Sequence, residues 1–107
     1  TGFERAFDAA DRLLTAEGPI LERTARIFLD LLAERPDTLV AIDHGEDTAR
    51  RVSERASDVA DEVAASDDLS AAESLAEEFV ENGYNPGTTA DCTAAALFIA
   101  LERGLTV

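Results

Sequence analysis

Residues 20–35 read ILERTARIFLDLLAER, and this stretch decides the fold class. Its apolar residues recur every three or four positions, which places them on one face of an α-helix. Pro36 follows directly, and helices usually end at or before the residue that precedes a proline. The stretch therefore predicts an amphipathic helix with one face in a core. The predicted core positions are Ile20, Leu21, Thr24, Ala25, Ile27, Phe28, Leu31 and Leu32.

Helical spacing continues on both sides, and no segment shows the strict alternation of a half-buried strand. The predicted helices span residues 3–16, 20–35, 46–65, 70–82 and 89–103. Phe7 falls on the apolar face of the first helix, and Ser70 with Glu73 has the spacing of a capping box. A short apolar run, residues 39–42, follows Asp37, which can cap whatever structure comes next. We predict an all-α fold, a compact bundle of five to six helices, in a single domain over residues 1–107.

The charge of the chain is extreme. There are 23 acidic residues and 9 basic ones, all arginine, so the formal net charge is −14. Self-repulsion of this size opposes compaction unless salt screens it, which predicts a halophilic protein. A basic footprint for nucleic acid is missing, and an anionic membrane surface would repel the chain. We therefore expect neither nucleic acid nor membrane as a partner.

Cysteine content and hydropathy bear on the compartment. Cys92 is the single cysteine, so no internal disulfide can form. No apolar run approaches the roughly 20 residues that span a bilayer. A cytoplasmic location is the expectation that follows.

The stretch most suggestive of chemistry is residues 83–91, GYNPGTTAD. It places a tight loop and two hydroxyl groups at the start of a helix, where unpaired amides and the helix dipole attract anions. Thr88 or Thr89 could bind a phosphate oxygen or hydrated Mg²⁺, and Asp91 could hold the metal through its carboxylate. The same residues also form a turn and a capping-box-like helix start that need no ligand. Both interpretations remain open on the residues alone.

The run NPGTTAD at residues 85–91, followed by an Ala-rich helix, resembles the C-terminal motif of the triphosphoribosyl-dephospho-CoA synthase (CitG-like) family. Pro36-Asp37-Thr38 and His44-Gly45 resemble the segment that precedes it, so that the resemblance spans about residues 29–104. It implies a helical transferase that moves the triphosphoribosyl group of ATP to 3′-dephospho-CoA and releases adenine. The product would be the precursor of the prosthetic group of citrate or malonate lyase acyl carrier proteins.

The resemblance also implies roles for individual residues. Catalytic residues would be Asp37, His44 and Asp91, and the ligands of Mg²⁺ would be Asp37 and Asp91. The ATP-binding residues would be Gly45, Asn85, Gly87, Thr88 and Thr89. Many members carry glycine or serine where Thr88 and Thr89 stand, which leaves the acceptor open. Full members are much longer, so this chain corresponds to their C-terminal part and is expected to be inactive alone.

Each of these residues also has a purely structural interpretation. His44 can be a hydrogen-bonding loop residue, Asp37 a helix cap, and Arg50, Arg51 and Arg55 members of surface ion pairs. A second hypothesis is a non-catalytic helical module that packs on a partner. Residues 94–101 lack a polar face, which predicts that the N-terminal part of the same protein, or an oligomer partner, covers them.

Overall fold

The computed structural model describes the backbone of residues 2–105 and the side chains of residues 4–105. Within that range the chain forms six α-helices and no strand, as predicted. They are α1 (Gly2–Thr15), α2 (Ile20–Glu34), α3 (Thr38–His44), α4 (Glu46–Ser66), α5 (Ser70–Asn82) and α6 (Gly87–Glu102). Five of these helices were predicted individually. The additional one is α3, which contains the short apolar run at residues 39–42, and the sequence did not say whether that run is helical. No helix in this range is long and apolar enough to cross a bilayer.

Helix α2 lies between two groups of buried side chains and belongs to both. Leu29 and Leu32 pack with residues of α3, α4 and α5. Ile27 and Leu31 pack with residues of α1 and α6. Full burial of one such side chain stabilises a protein by about 1.5–3 kcal/mol. The stretch that predicted the fold class is therefore the element that joins the two halves of the core.

The C-terminal end of α2 is held by side chains from two other helices. Ser53, buried in α4, donates its hydroxyl to the carbonyl oxygens of Leu32 (2.8 Å) and Ala33 (3.0 Å). Arg5 of α1 donates from Nη2 to the carbonyl oxygen of Leu31 (2.7 Å). The last carbonyl groups of a helix have no partner within the helix, so these contacts satisfy them where the chain turns toward α3.

Two side chains predicted for the core lie at the surface instead. Leu21 is 81% exposed, because the first turn of α2 forms the rim of an apolar groove and is not covered by another helix. Phe7 is 46% exposed, and the guanidinium of Arg103 lies 5.4 Å from its ring centre. A cation over an aromatic ring covers one face and leaves the other in water. Helical spacing identified both as apolar-face residues, but not which part of that face is covered.

The capping box predicted at Ser70 and Glu73 is also wrong. Helix α5 begins at Ser70 after Leu69, and no side chain caps it in the predicted way. Instead Asp68 Oδ1 accepts hydrogen bonds from the Ser70 hydroxyl (2.8 Å) and the Ser70 backbone N–H (2.9 Å). These two bonds lower the pKa of the Asp68 carboxyl group below its ordinary value. Asp68, two residues before the helix, therefore binds the first residue of α5, and the Ser-x-x-Glu pattern gave no sign of this contact.

Candidate functional site at the junction of α3 and α6

The carboxylate of Asp37 is the centre of the predicted site and is 2% exposed. Its Oδ1 accepts from the backbone N–H groups of Leu39 (2.9 Å) and Val40 (3.2 Å), which makes Asp37 the N-cap of α3. Its Oδ2 accepts from both the backbone N–H and the hydroxyl of Thr89, each at 2.7 Å. One carboxylate thus joins the N-termini of two helices, and its negative charge is stabilised by the positive end of each.

Gly87 lets α6 approach α3 closely. A Cβ atom at this position would lie 2.6 Å from Cδ2 of Leu39, closer than real Cβ contacts. Beside this contact, the hydroxyl oxygens of Thr38 and Thr88 lie 2.6 Å apart and share a hydrogen bond. Gly87 therefore leaves room for the side chain of Leu39, which would have to shift if a Cβ were present. The hydrogen bond between Thr38 and Thr88 is a second polar link beside the one at Asp37.

The loop between α5 and α6 is built from two successive tight turns. Gly83 has a φ of 70°, and the N–H of Tyr84 donates to the carbonyl of Phe79 (2.9 Å), as in a Schellman motif. Pro86, with φ −77° and ψ 59°, is the centre of an inverse γ-turn in which Gly87 N–H donates to Asn85 O (2.8 Å). The two turns fix where α6 starts relative to α5.

His44 connects the other end of α3 to this loop. Its Nε2 donates to the carbonyl oxygen of Gly83 (3.0 Å), and its ring stands edge-on to the ring of Tyr84, with centres 5.0 Å apart. Gly45 follows with a φ of 94°, a conformation that favours glycine, and leads directly into α4. Helix α3 is therefore attached to its surroundings at both ends.

The structure brings together the three segments that carried the resemblance. Residues 36–38, 44–45 and 85–91 all lie on α3 or on the chain that contacts it. Within this junction Asp37 and Thr89 are buried, and each is hydrogen-bonded to the other. The pair acts inside the protein, where it positions the two helices.

Five predicted site residues are exposed: His44, Gly45, Asn85, Thr88 and Asp91. Thr88 and Asp91 are exposed and lie three residues apart, so that they share one face of α6. No hydrogen bond or ion pair engages the Asp91 side chain in the described part of the chain. No local side chain caps α6, so the capping-box interpretation of Thr88 and Asp91 does not describe this helix start. Asn85 is exposed as well, and its side chain rests against Gly87.

The oxygen atoms available to a metal ion are few. Among the described residues, no group of three or more His, Cys, Asp or Glu side chains is placed to hold one. Both oxygens of Asp37 already accept hydrogen bonds, and the Thr88 hydroxyl shares one with Thr38. The Asp91 carboxylate is exposed and has no partner among the described residues. Mg²⁺ commonly binds through one or two carboxylates, with waters and substrate phosphates as its other ligands. The assignments of Asp91 and Asp37 as ligands of Mg²⁺ therefore stay predictions.

Sequence reasoning did not identify Leu39 as the reason for Gly87, or Thr38 as a partner of Thr88. It also did not connect Asp37 with Thr89, which is 52 residues away. The sequence showed an aspartate that could cap the next element and a threonine at a helix start. No local pattern says that the two meet.

Comparison with known proteins identifies a class of transferase. The ATP:dephospho-CoA triphosphoribosyl transferase (CitG) family matches residues 1–106. The chain belongs to this family. The match extends beyond residues 29–104, where the motifs had suggested it, and includes α1 and most of α2.

A solved structure gives the same result. The chain resembles the crystal structure of a protein provisionally assigned as triphosphoribosyl-dephospho-CoA synthase from Archaeoglobus fulgidus, with a TM-score of 0.82 and 28% sequence identity. The similarity covers 97% of this chain and 44% of that one, so the chain spans less than half the length of this relative. None of the curated proteins compared is significantly similar to the sequence.

Proposed function

We propose that the protein takes part in transfer of the triphosphoribosyl group of ATP to a dephospho-CoA acceptor, with release of adenine. The observation that carries this proposal is the convergence of residues 36–38, 44–45 and 85–91 on one junction, in a chain of the transferase family. The other half of the active site would come from the rest of a full-length family member, since the chain spans 44% of its structural relative.

The chemistry defines what the junction has to do. The transfer breaks the bond between ribose C1′ and adenine and forms a bond from C1′ to the acceptor, while the phosphates stay attached to the ribose. The protein must therefore hold a highly charged phosphate chain still and place C1′ near the acceptor. We propose that Asp37 positions the starts of α3 and α6 relative to each other, and that Thr88 and Asp91 contact the hydrated Mg²⁺ of ATP.

The N-terminus of α6 offers the phosphates little by itself. Three of its first four backbone N–H groups already have acceptors. The N–H of Gly87 donates to Asn85, that of Thr89 to Asp37 and that of Ala90 to Pro86. Only the N–H of Thr88 is left for a ligand among these four. The buried charge of Asp37 also offsets the positive end of the helix. A phosphate chain that approaches here therefore needs a cation, which supports the proposed role of Mg²⁺.

The activity test uses the gene product that carries this chain. With ATP, Mg²⁺ and 3′-dephospho-CoA present, it is expected to release adenine, which chromatography separates from ATP. Omission of dephospho-CoA should abolish the release, because the triphosphoribosyl group then has no acceptor. Intact ATP in the complete mixture, with a protein shown to be folded, would reject the proposed transfer.

Asp91→Asn is expected to weaken binding of Mg²⁺-ATP to the gene product about tenfold, equivalent to about 1.4 kcal/mol. The substitution removes one negative charge at nearly constant shape, and Asp91 has no described partner whose loss would disturb the fold. Calorimetry with Mg²⁺ and with EDTA measures the effect. Asp58→Asn, at another exposed helical aspartate, is the matched control. Equal affinities of wild type and Asp91→Asn would assign Asp91 no role in metal binding.

An apolar groove supports the prediction that other protein covers part of this chain. The groove, about 680 Å³, runs between α2, α5 and α6, and its rim residues Leu21 and Val80 are 81% and 80% exposed. Exposed apolar patches of this kind mark interaction sites. We propose that the rest of the gene product covers it in the working protein.

If the groove needs a cover, the 107-residue chain alone should self-associate in light scattering. Leu21→Ser with Val80→Ser should restore a monomer. Ile42→Ser should leave association unchanged, since Ile42 is 80% exposed but lies outside the groove. A wild-type chain that stays monomeric at high concentration would argue against the cover.

A further inference from the structure

We propose that a second site, a cleft between α4 and α5, binds the oligophosphate part of a substrate, and that Arg51 is the main residue that binds it. The identity of that substrate rests on the proposed function, but the cleft itself does not. Its volume is about 210 Å³. It is lined by Thr48, Arg51, Val52, Arg55, Glu78, Phe79, Asn82 and Tyr84.

Arg51 differs from most arginines of the protein in having no anionic partner. Seven of the nine arginines bind a carboxylate or a backbone carbonyl among the described residues. Arg51 instead donates from Nη2 to the hydroxyl of Thr48 (3.0 Å), and no carboxylate contacts it in the described part of the chain. A guanidinium has five N–H donors, so Arg51 keeps its charge and most of its donors for a ligand.

The two other charged residues of the cleft, Arg55 and Glu78, have opposite charges that cancel. Arg55 binds the carboxylate of Glu78 through Nε (3.2 Å). The lining therefore carries one net positive charge, that of Arg51, on a chain whose net charge is −14. The cleft is thus a site where an anion meets an unbalanced cation.

The small volume of the cleft favours phosphate groups over a whole nucleotide. Pockets for drug-sized ligands usually measure about 300–1,000 Å³, and this cleft is smaller. Arginine binds phosphate oxygens through two parallel N–H bonds, which suits a short phosphate chain.

Tyr84 connects this cleft with the junction described above. It lines the cleft and belongs to the loop that leads into α6, and the rings of His44 and Phe79 fix its position. A ligand in the cleft would therefore border the segment that holds Thr88. Two substrates could supply the phosphates: ATP through its triphosphate, and dephospho-CoA through its diphosphate.

Calorimetry with inorganic tripolyphosphate tests the cleft directly, on the 107-residue chain at the lowest KCl concentration at which thermal melting shows it folded. Arg51→Gln is expected to weaken binding at least tenfold. Arg50→Gln, which removes the same charge from the neighbouring residue outside the cleft, should change binding less than twofold. Absence of tripolyphosphate binding by the wild type, or equal losses in the two variants, would overturn the proposal.

The same variants identify the source of the phosphates. The substrate, ATP or dephospho-CoA, whose affinity depends on Arg51 in the gene product is the one that occupies the cleft. If neither depends on Arg51, the link to these substrates is wrong. Tripolyphosphate binding that depends on Arg51, in a gene product that releases no adenine, would reject the proposed transfer and retain the cleft.

Discussion

Asp37→Ala is expected to lower the free energy of unfolding by about 3–5 kcal/mol. The carboxylate accepts four hydrogen bonds in a buried place, and its loss leaves the backbone N–H of Thr89 without an acceptor. A buried donor without a partner costs about 1–3 kcal/mol, in addition to the lost helix cap. Denaturant unfolding followed by circular dichroism measures the change.

Two conservative variants separate the cap from the link between helices. Asp37→Asn keeps an oxygen that accepts from Leu39 and Val40, but its NH₂ group faces the N–H of Thr89. Its free energy of unfolding should therefore fall, but by less than that of Asp37→Ala. Thr89→Val removes only the hydroxyl and should cost about 1–2 kcal/mol. If Asp37→Ala costs less than about 1 kcal/mol, the four hydrogen bonds do not stabilise the junction as the geometry indicates.

The melting temperature is expected to rise by about 10 °C or more between low and molar KCl, a stabilisation of about 2 kcal/mol for a domain of this size. Acidic residues outnumber arginines 23 to 9, so the chain carries a net charge of −14, and the repulsion between its carboxylates is screened at high salt. Salt also weakens the exposed ion pairs, but each contributes little.

Removing two negative charges from the exposed face of α4 provides a control for the salt effect. Asp58→Asn combined with Glu62→Gln lowers the repulsion, so this variant should need less KCl to reach the same melting temperature. A melting temperature that stays flat or falls with KCl would contradict the prediction of a halophilic protein.

The fold followed from local patterns because each helix has its own signal. Apolar spacing in residues 20–35 and glycine or proline at the helix ends depend only on neighbouring residues, and the structure confirms the helices they predict. Which apolar residues are covered depends on other helices, and this is why Leu21 and Phe7 were assigned wrongly. Spacing within one helix carries no information about its neighbours.

The site was predictable to a lesser extent, for the same reason. The structural role assigned to Asp37 as a helix cap is confirmed, but its second oxygen binds a residue that no local rule connects with it. The arginines show the same limit. Arg50 and Arg55 do form the predicted surface ion pairs, whereas Arg51, between them, does not. Arg50 pairs within α4 and Arg55 pairs with Glu78 of α5, and spacing along α4 alone does not show which arginine finds a partner.

The link between Asp37 and Thr89 has a consequence for synthesis of the protein on the ribosome. Helix α3 has seven residues, too few for a stable helix in isolation. Its main polar tie to the rest of the core arrives 52 residues later, with the first turn of α6. A nascent chain that has released α1 to α5 therefore holds Asp37 with half of its acceptor capacity unused. The junction of α3 and α6 can therefore form only after α6 has left the exit tunnel, late in synthesis of this part of the chain.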